Sequence, residues 1–110
     1  MHRVLCIASA LAFLLLPVNA VRADEKSSSV ERGKQIYNQC AGCHDANGTE
    51  RRRGPGLKGL FSKERMRNGN KPTDNTVLEQ INEGSRRMRG FRDVLSDQEK
   101  KDLLAYLKTL

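Results

Sequence analysis

The amino-acid sequence predicts an all-α fold, and three observations support this class. Apolar residues recur every three or four positions in several stretches, as they do on the buried face of a helix. Two stretches open with residue pairs that cap helices, and no stretch alternates polar and apolar residues as a half-buried strand does. The helices predicted on these grounds are Val30–Cys40, Val77–Glu83 and Asp97–Thr109, with a further helical turn around Leu57–Phe61.

The first predicted helix follows a polar leader, Asp24–Ser29, which we expect to be mobile. Ser29 is a residue type that caps helices, and the acidic Glu31 suits a first turn. One face of this helix carries apolar or small residues at helical spacing. They are Val30, Gly33, Ile36, Tyr37 and Cys40.

The other two predicted helices have clearer boundaries. Thr76 and Glu79 fit a capping box at the start of the second helix, and Gly84 would end it. Ser96 and Glu99 form the same pattern at the start of the last helix. Glycine, proline and asparagine mark two segments between helices as loops. These segments are Asn47–Gly56 and Asn68–Pro72.

The first 23 residues have the layout of a secretory signal peptide. A basic start precedes an apolar run of 13 residues, Val4–Leu16, and small residues follow at Ala20 and Ala23. Cleavage could follow either alanine, and we favour Ala23 because small residues precede that site and charged ones follow it. The sequence therefore predicts a signal peptide over residues 1–23 and one domain over residues 24–110.

Two other interpretations of the N-terminal segment fit less well. An uncleaved membrane anchor needs about 20 apolar residues, which is more than this run provides. A lipoprotein site at Cys6 would place the cysteine before most of the apolar run instead of after it. We therefore expect an exported, periplasmic protein that has no membrane span after cleavage.

The domain that remains is small. Removing 23 residues from 110 leaves 87, with few aromatic side chains and no tryptophan. A domain of this size usually needs disulfides, a metal or a cofactor to hold its core. Because Cys6 leaves with the signal peptide, only Cys40 and Cys43 remain for that purpose.

Positive charge is the other notable feature of the composition. The formal net charge is +7, and the basic residues cluster in two segments, Arg51–Lys71 and Arg86–Arg92. Such clusters indicate an acidic protein partner, a membrane surface or nucleic acid, although part of the charge only keeps a protein soluble. Export argues against nucleic acid, so we expect a protein partner with an acidic docking surface.

One motif carries specific chemistry. Cys40-Ala41-Gly42-Cys43-His44 matches Cys-x-x-Cys-His, the signature of covalent haem attachment. Two thiols three residues apart can reach the two vinyl groups on one edge of a porphyrin, and the histidine that follows can ligate the iron. The motif predicts one haem c per chain, bound covalently through Cys40 and Cys43, with His44 as an iron ligand.

Two other chemistries use cysteines at this spacing. A thiol–disulfide centre favours a βαβ context, which the predicted helices do not provide. A structural zinc site needs four ligands, and after export Cys40, Cys43 and His44 are the only cysteine or histidine candidates.

The second axial position of the iron needs another ligand or stays open. His2 leaves with the signal peptide, so methionine is the candidate, at Met66 or Met88. Met66 is predicted to lie in a charged loop without apolar neighbours, whereas the apolar residues of the Phe91–Leu95 segment could shield a thioether at Met88 from water. We expect Met88 to be the second ligand, with Met66 as the alternative.

These motifs, taken in order, resemble those of class I c-type cytochromes over almost all of the mature chain. Gly33 and Tyr37 precede the Cys-x-x-Cys-His motif, and Gly84-x-x-x-Met88-x-Gly90-Phe91 is similar to the distal loop of that family. Two further similar segments are Gly54-Pro55-Gly56-Leu57-Lys58-Gly59-Leu60-Phe61 and Leu103-Leu104-Ala105-Tyr106-Leu107.

The resemblance implies a small cytochrome c fold wrapped around one haem. Cys40 and Cys43 would form the thioether bonds, and His44 and Met88 would be the axial ligands of the iron. The carbonyl of Pro55 would accept a hydrogen bond from the other ring nitrogen of the histidine and so fix its orientation.

The resemblance also assigns weaker roles. Gly33 would let the first helix cross close to Leu103 and Tyr106 of the last helix. Lys63 lies where some relatives carry an arginine that reaches a haem propionate, although its plain interpretation is a solvated loop charge. Arg89 replaces the proline that usually follows the ligand methionine, and because proline stiffens a loop, we expect a looser Met88 and easier loss of that ligand.

Together these features predict an electron carrier and not an enzyme. Histidine and methionine fill both axial positions and raise the reduction potential of the iron relative to two nitrogen ligands. We expect a monomer whose haem edge is bordered by Arg53, Arg86, Arg87 and Arg89, which attract an acidic redox partner. Two alternatives stay open: a haem that binds gases or reacts with peroxide if Met88 is lost, and a subunit permanently docked to a dehydrogenase or oxidase.

Overall fold

The computed structural model describes residues 18–110, and all regular structure in this range is helical. Helix α1 spans Val18–Tyr37, α2 spans Asp74–Glu83 and α3 spans Asp97–Leu107, with one 3₁₀ turn at Leu60–Ser62. No β-strand occurs in the described range, so the all-α prediction is confirmed, together with the helical turn expected between the first two helices. None of these helices combines the length and the apolar character that crossing a bilayer requires.

Helix α1 begins and ends earlier than the sequence predicted. The predicted leader Asp24–Ser29 is helical instead of mobile, and the helix ends at Tyr37 instead of Cys40. Residues 18–32 contain neither glycine nor proline, so a helix that is anchored by packing farther along can extend towards its N-terminus without interruption. Of the predicted signal peptide, residues 1–17 lie outside the described range, and α1 includes both Ala20 and Ala23.

Helix α2 also begins earlier than predicted, because a different threonine caps it. The Thr73 side chain accepts a hydrogen bond from the Thr76 N–H at 3.2 Å, and the Thr76 hydroxyl accepts one from the Thr73 N–H at 2.9 Å. The capping box therefore joins Thr73 to Thr76, and not Thr76 to Glu79. The helix ends before Gly84 as predicted, where a φ of 66° favours glycine.

Helix α3 begins at the capping box that the sequence predicted. The Ser96 hydroxyl accepts from the Glu99 N–H at 3.2 Å, and the Glu99 carboxylate accepts from the Ser96 N–H at 2.8 Å. The helix ends at Leu107 instead of Thr109. Its inner side places Leu103, Leu104 and Leu107 in the core.

Helices α1 and α3 cross so closely that only glycine fits at position 33. A Cβ atom there would overlap the backbone carbonyl of Asp102 and approach the Cβ of Tyr106. Next to this point the rings of Tyr37 and Tyr106 pack with their centroids 5.3 Å apart, and Leu103 is 1% exposed. The crossing fixes the C-terminal end of α1, and with it the start of the Cys-x-x-Cys-His motif, against the last helix.

An ion pair lies beside this crossing. Arg32 donates its Nε at 2.7 Å and one Nη at 3.1 Å to the two carboxylate oxygens of Asp102. The carboxylate is buried, and it also accepts from the Gln98 side chain at 3.1 Å. The Arg32 guanidinium holds the pKa of Asp102 below its ordinary value of 3.8. The pair therefore stabilises the fold at every pH above that value, and this contribution is lost as the pH falls through the lowered pKa.

Replacing Gly33 with alanine should destabilise the protein, because the added methyl group forces α1 away from α3. We expect a decrease of about 1–3 kcal/mol in the free energy of unfolding, measured by chemical denaturation. Gly42→Ala is the matched control, since a Cβ at position 42 meets no atom within 4 Å. Equal stability of the Gly33→Ala variant and the original protein would contradict the close crossing.

Candidate functional site

A cleft of about 890 Å³ passes through the core of the protein. Nine buried apolar residues form the core within the described range, and seven of them also line this cleft. Those seven are Tyr37, Leu60, Val77, Ile81, Phe91, Leu103 and Leu107. Sites for cofactors and small molecules are typically clefts of this size with largely apolar walls. The core and the candidate site are therefore built from the same side chains.

The Cys-x-x-Cys-His motif lines the cleft from a turn that directly continues α1. The N–H groups of Cys40 and Ala41 donate to the Tyr37 carbonyl, at 2.7 and 3.1 Å. The N–H groups of Cys43 and His44 share the Cys40 carbonyl, at 3.1 and 3.0 Å. These bonds close two tight turns in succession, and they bring both cysteines and the histidine to the same cleft.

Both cysteines are half-buried free thiols. Burial raises the pKa of the Cys40 thiol, and the neighbouring Cys43 raises it further. A reactive disulfide centre needs the opposite effect, since its attacking thiol has a lowered pKa. The setting of the Cys40 thiol is therefore unlike that of an attacking thiol in a disulfide centre, and both cysteines line the cleft, where they can attach a group that lies in it.

The loop that follows the motif holds the His44 imidazole in one orientation. Its Nδ1 lies 2.8 Å from the Pro55 carbonyl oxygen, which can only accept, so Nδ1 carries the hydrogen. Gly54 packs against the ring so tightly that a Cβ there would lie 2.5 Å from Cε1 of His44. This arrangement leaves the lone pair of Nε2 available for a metal ion, and it is the contact that the resemblance implies for Pro55.

Tyr37 connects the end of α1 to the same histidine. Its hydroxyl donates to the His44 backbone carbonyl at 2.8 Å, and burial raises the pKa of Tyr37 to about 12. The phenol therefore remains a neutral donor at physiological pH. The sequence placed Tyr37 on an apolar helix face and in a position that resembles the family, but no local pattern indicated this hydrogen bond.

A second segment of the lining is the Met88 arm, which we define as residues 84–91. Within it the Ser85 N–H donates to the Met88 carbonyl at 2.8 Å, and the Met88 N–H donates to the Ser85 hydroxyl at 3.3 Å. The arm returns to α2 at Phe91, whose N–H donates to the Ile81 carbonyl at 2.8 Å. Met88 is half-buried, packs against the core and lines the cleft.

Arg89 lies in the arm at the position where the cytochromes that the sequence resembles usually have proline. Its guanidinium carbon lies 5.2 Å from the centroid of the Phe91 ring, within the range of a cation–π interaction. Hydrogen bonds and this contact hold the arm without the fixed backbone angle of a proline. That Met88 is lost more easily from the iron because Arg89 replaces the proline stays a prediction.

The structure places two residues of the preceding loop differently from the sequence expectation. The prediction that Met66 lacks apolar neighbours is wrong, because Met66 is half-buried, packs against the core and lines the cleft. Lys63 is not a fully solvated charge, since it is half-buried and donates its Nζ to the Gly56 carbonyl at 3.0 Å. Met66 and Lys63 are half-buried because the loop between the 3₁₀ turn and α2 folds over the core.

Positive charge surrounds the cleft. Eight of its lining residues are arginine or lysine, and none of the 13 acidic residues, all of which lie in the described range, lines it. The eight are Arg51, Arg53, Lys63, Arg65, Arg67, Arg86, Arg87 and Arg89, which we call the positive rim. The rim includes the four arginines that the sequence placed beside the haem edge, and it concentrates positive potential at one site on the surface.

Comparison with known families adds independent information. A model of the cytochrome c family matches residues 30–110, a range that contains the cysteine motif, the Pro55 loop and the Met88 arm. The chain belongs to the cytochrome c family. No curated protein sequence matches this cytochrome closely enough to serve as a relative. The match confirms the expected class I c-type cytochrome fold, and it gives the protein the general function of the family, electron transfer by covalently bound haem iron.

The residues at the cleft fit the haem of this family. Two thiols on adjacent turns can form the thioether bonds, and His44 offers a free Nε2 that is fixed by Pro55. The apolar lining suits the porphyrin, and the positive rim suits its two anionic propionate groups. These donors and this cleft are therefore compatible with one haem c.

Replacing Tyr37 with phenylalanine should cost about 1 kcal/mol in the free energy of unfolding of the haem-loaded protein, because the His44 carbonyl loses a donor. Chemical denaturation measures this change. Tyr106→Phe is the matched control, since its ring packs against Tyr37 in the same part of the core. An equal loss in both variants would show that the hydrogen bond to His44 contributes nothing specific.

Proposed function

We propose that this cytochrome carries single electrons on one haem c bound through Cys40 and Cys43, with His44 and Met88 as the axial ligands of the iron. The observation that carries the proposal is that these four side chains line the same largely apolar cleft. The cysteines and the histidine come from the turn after α1, and the methionine comes from the Met88 arm, so two separate segments supply the two ligands.

Pro55 supports the proposal as the residue that orients the histidine ligand. The hydrogen bond of 2.8 Å between its carbonyl and Nδ1 of His44 restrains the rotation of the ring. The same hydrogen bond makes Nε2 a stronger ligand for a metal ion, because partial negative charge builds up on the imidazole ring when Nδ1–H donates to an oxygen. Nε2 is then the only ring nitrogen that is free to bind iron.

A haem held in this cleft supplies an iron centre that takes one electron from a reduced partner and passes it to an oxidised one. His44 and Met88 would both bind the iron, so neither side chain would have to move when the charge on the iron changes. A thioether ligand also raises the reduction potential relative to a second nitrogen ligand. These properties favour an electron carrier over an enzyme.

The positive rim supports docking to a redox protein with an acidic surface. Opposite charges on two partners raise their rate of association and favour orientations that bring the charged patches together. The signal peptide that we propose over residues 1–23 would deliver the domain, residues 24–110, to the periplasm. We propose that it acts there as a monomer and binds no nucleic acid.

The assignment of Met88 can be tested against Met66, which lines the same cleft. Met88→Ala should abolish the absorption band near the red end of the ferric spectrum that reports methionine ligation, lower the reduction potential and let the ferrous protein bind carbon monoxide. Met66→Ala should retain the band and bind no carbon monoxide. Loss of the band in Met66→Ala with retention in Met88→Ala would refute the assignment, and rapid carbon monoxide binding by the original protein would favour a gas-binding function.

Steering by the positive rim can be tested with a small anionic oxidant. Oxidation of the ferrous protein by ferricyanide, followed by stopped-flow absorbance, should slow roughly tenfold between low and physiological ionic strength, because salt screens the attraction. The double variant Arg86→Gln, Arg87→Gln should show a weaker dependence on salt. The control variant Lys34→Gln, Lys101→Gln removes two exposed charges away from the cleft and should behave like the original protein. A rate that does not change with salt would exclude steering.

A further inference from the structure

The side chain of Gln80 connects three segments at the cleft. Gln80 is half-buried in α2 and lines the cleft. Its Nε2 donates to the Gly84 carbonyl at 3.1 Å and to the Met88 Sδ at 3.8 Å. Its Oε1 accepts from the Asn68 Nδ2 at 3.0 Å. One amide therefore contacts both the start of the Met88 arm and its proposed ligand atom.

The orientation of the Gln80 amide follows from its partners. The Gly84 carbonyl only accepts hydrogen bonds, so the Gln80 nitrogen must face it, and the Gln80 oxygen then faces the Asn68 amide. Asn68 is fixed in turn, because its Oδ1 accepts from the Asn70 N–H at 3.0 Å and so leaves Nδ2 to donate. The loop before α2 therefore orients the group that contacts the Met88 sulfur.

The two hydrogens of Nε2 can be used at once, one for the carbonyl and one for the sulfur. The bond to Gly84 holds the first residue of the arm close to the last turns of α2. The contact with Met88 uses one sulfur lone pair, and a thioether has a second lone pair that remains for a metal. Ligation of iron and the contact with Gln80 are therefore compatible.

We propose that Gln80 is a positioning residue, oriented by Asn68, that keeps Met88 on the iron in an arm that lacks the usual proline. This inference rests on the proposed ligation by Met88. The amide restrains the arm through the Gly84 carbonyl and restrains the sulfur directly. Without the Gln80 amide, Met88 is held by the iron bond, by the turn with Ser85 and by the return of the arm to α2 at Phe91.

The test uses the haem-loaded protein and imidazole, which competes with methionine for ferric iron. Gln80→Leu and Gln80→Glu both remove the donor, and each should raise the rate at which imidazole displaces Met88 about fivefold, as expected for one net hydrogen bond of about 1 kcal/mol. Asn68→Ala keeps the Gln80 amide but no longer fixes its orientation, so it should increase the displacement rate by a smaller factor. Gln35→Leu, at an exposed position of α1, is the matched control and should leave the rate unchanged.

A second measurement does not depend on the iron. Trypsin cuts after arginine, and the Met88 arm contains Arg86, Arg87 and Arg89. Cleavage within the arm, identified by mass spectrometry, should accelerate in the Gln80 variants relative to cleavage at Arg51–Arg53. A variant that is globally destabilised would instead be cut faster at both places.

The outcomes separate this inference from the proposed function. Faster displacement and faster cleavage in the arm, with the control unchanged, support the positioning role. Unchanged rates in Gln80→Leu and Gln80→Glu would overturn it, even if the ferric band shows that Met88 is the ligand. If Gln80→Leu fails to fold, Gln80→Glu and Asn68→Ala decide the question. Absence of the methionine band from the original protein would overturn both proposals together.

Discussion

The same side chains form the core of this protein and line its cleft, and the rest of the structure depends on this shared use. Seven of the nine buried apolar residues line the cleft of about 890 Å³. A domain of fewer than 100 residues buries little apolar surface on its own. A haem that fills the cleft would therefore contribute to folding as well as to electron transfer, and its covalent attachment would prevent the loss of a group that completes the core.

The two segments that supply the proposed iron ligands are held by different means. The turn with His44 continues α1, which is fixed against α3 at Gly33, so this segment is part of the most tightly packed region. The Met88 arm is a loop, held by its internal turn with Ser85, by the return to α2 and by the Gln80 amide. We therefore expect motion to concentrate in the arm, and we expect the histidine side to stay rigid.

Sequence patterns predicted the parts of the fold that are determined by residues close together in the sequence. The Ser96 capping box and the end of α2 at Gly84 each depend on a few adjacent residues, and the structure confirms both. The burial of Met66 and the contact between Asn68 and Gln80 depend instead on how the loop before α2 folds over the core. No spacing within a local stretch encodes this packing, so these features could be identified only from the structure.

We propose above all that one haem is joined covalently to Cys40 and Cys43 in the cleft. The most direct test is the mass of the purified protein after complete unfolding in acid, which releases any haem that is held only by axial ligands. We expect a single species with the mass of residues 24–110 plus one haem, and loss of the retained haem when both cysteines are replaced by serine. A bare polypeptide mass for the unfolded original protein, with all of the haem released, would contradict this proposal.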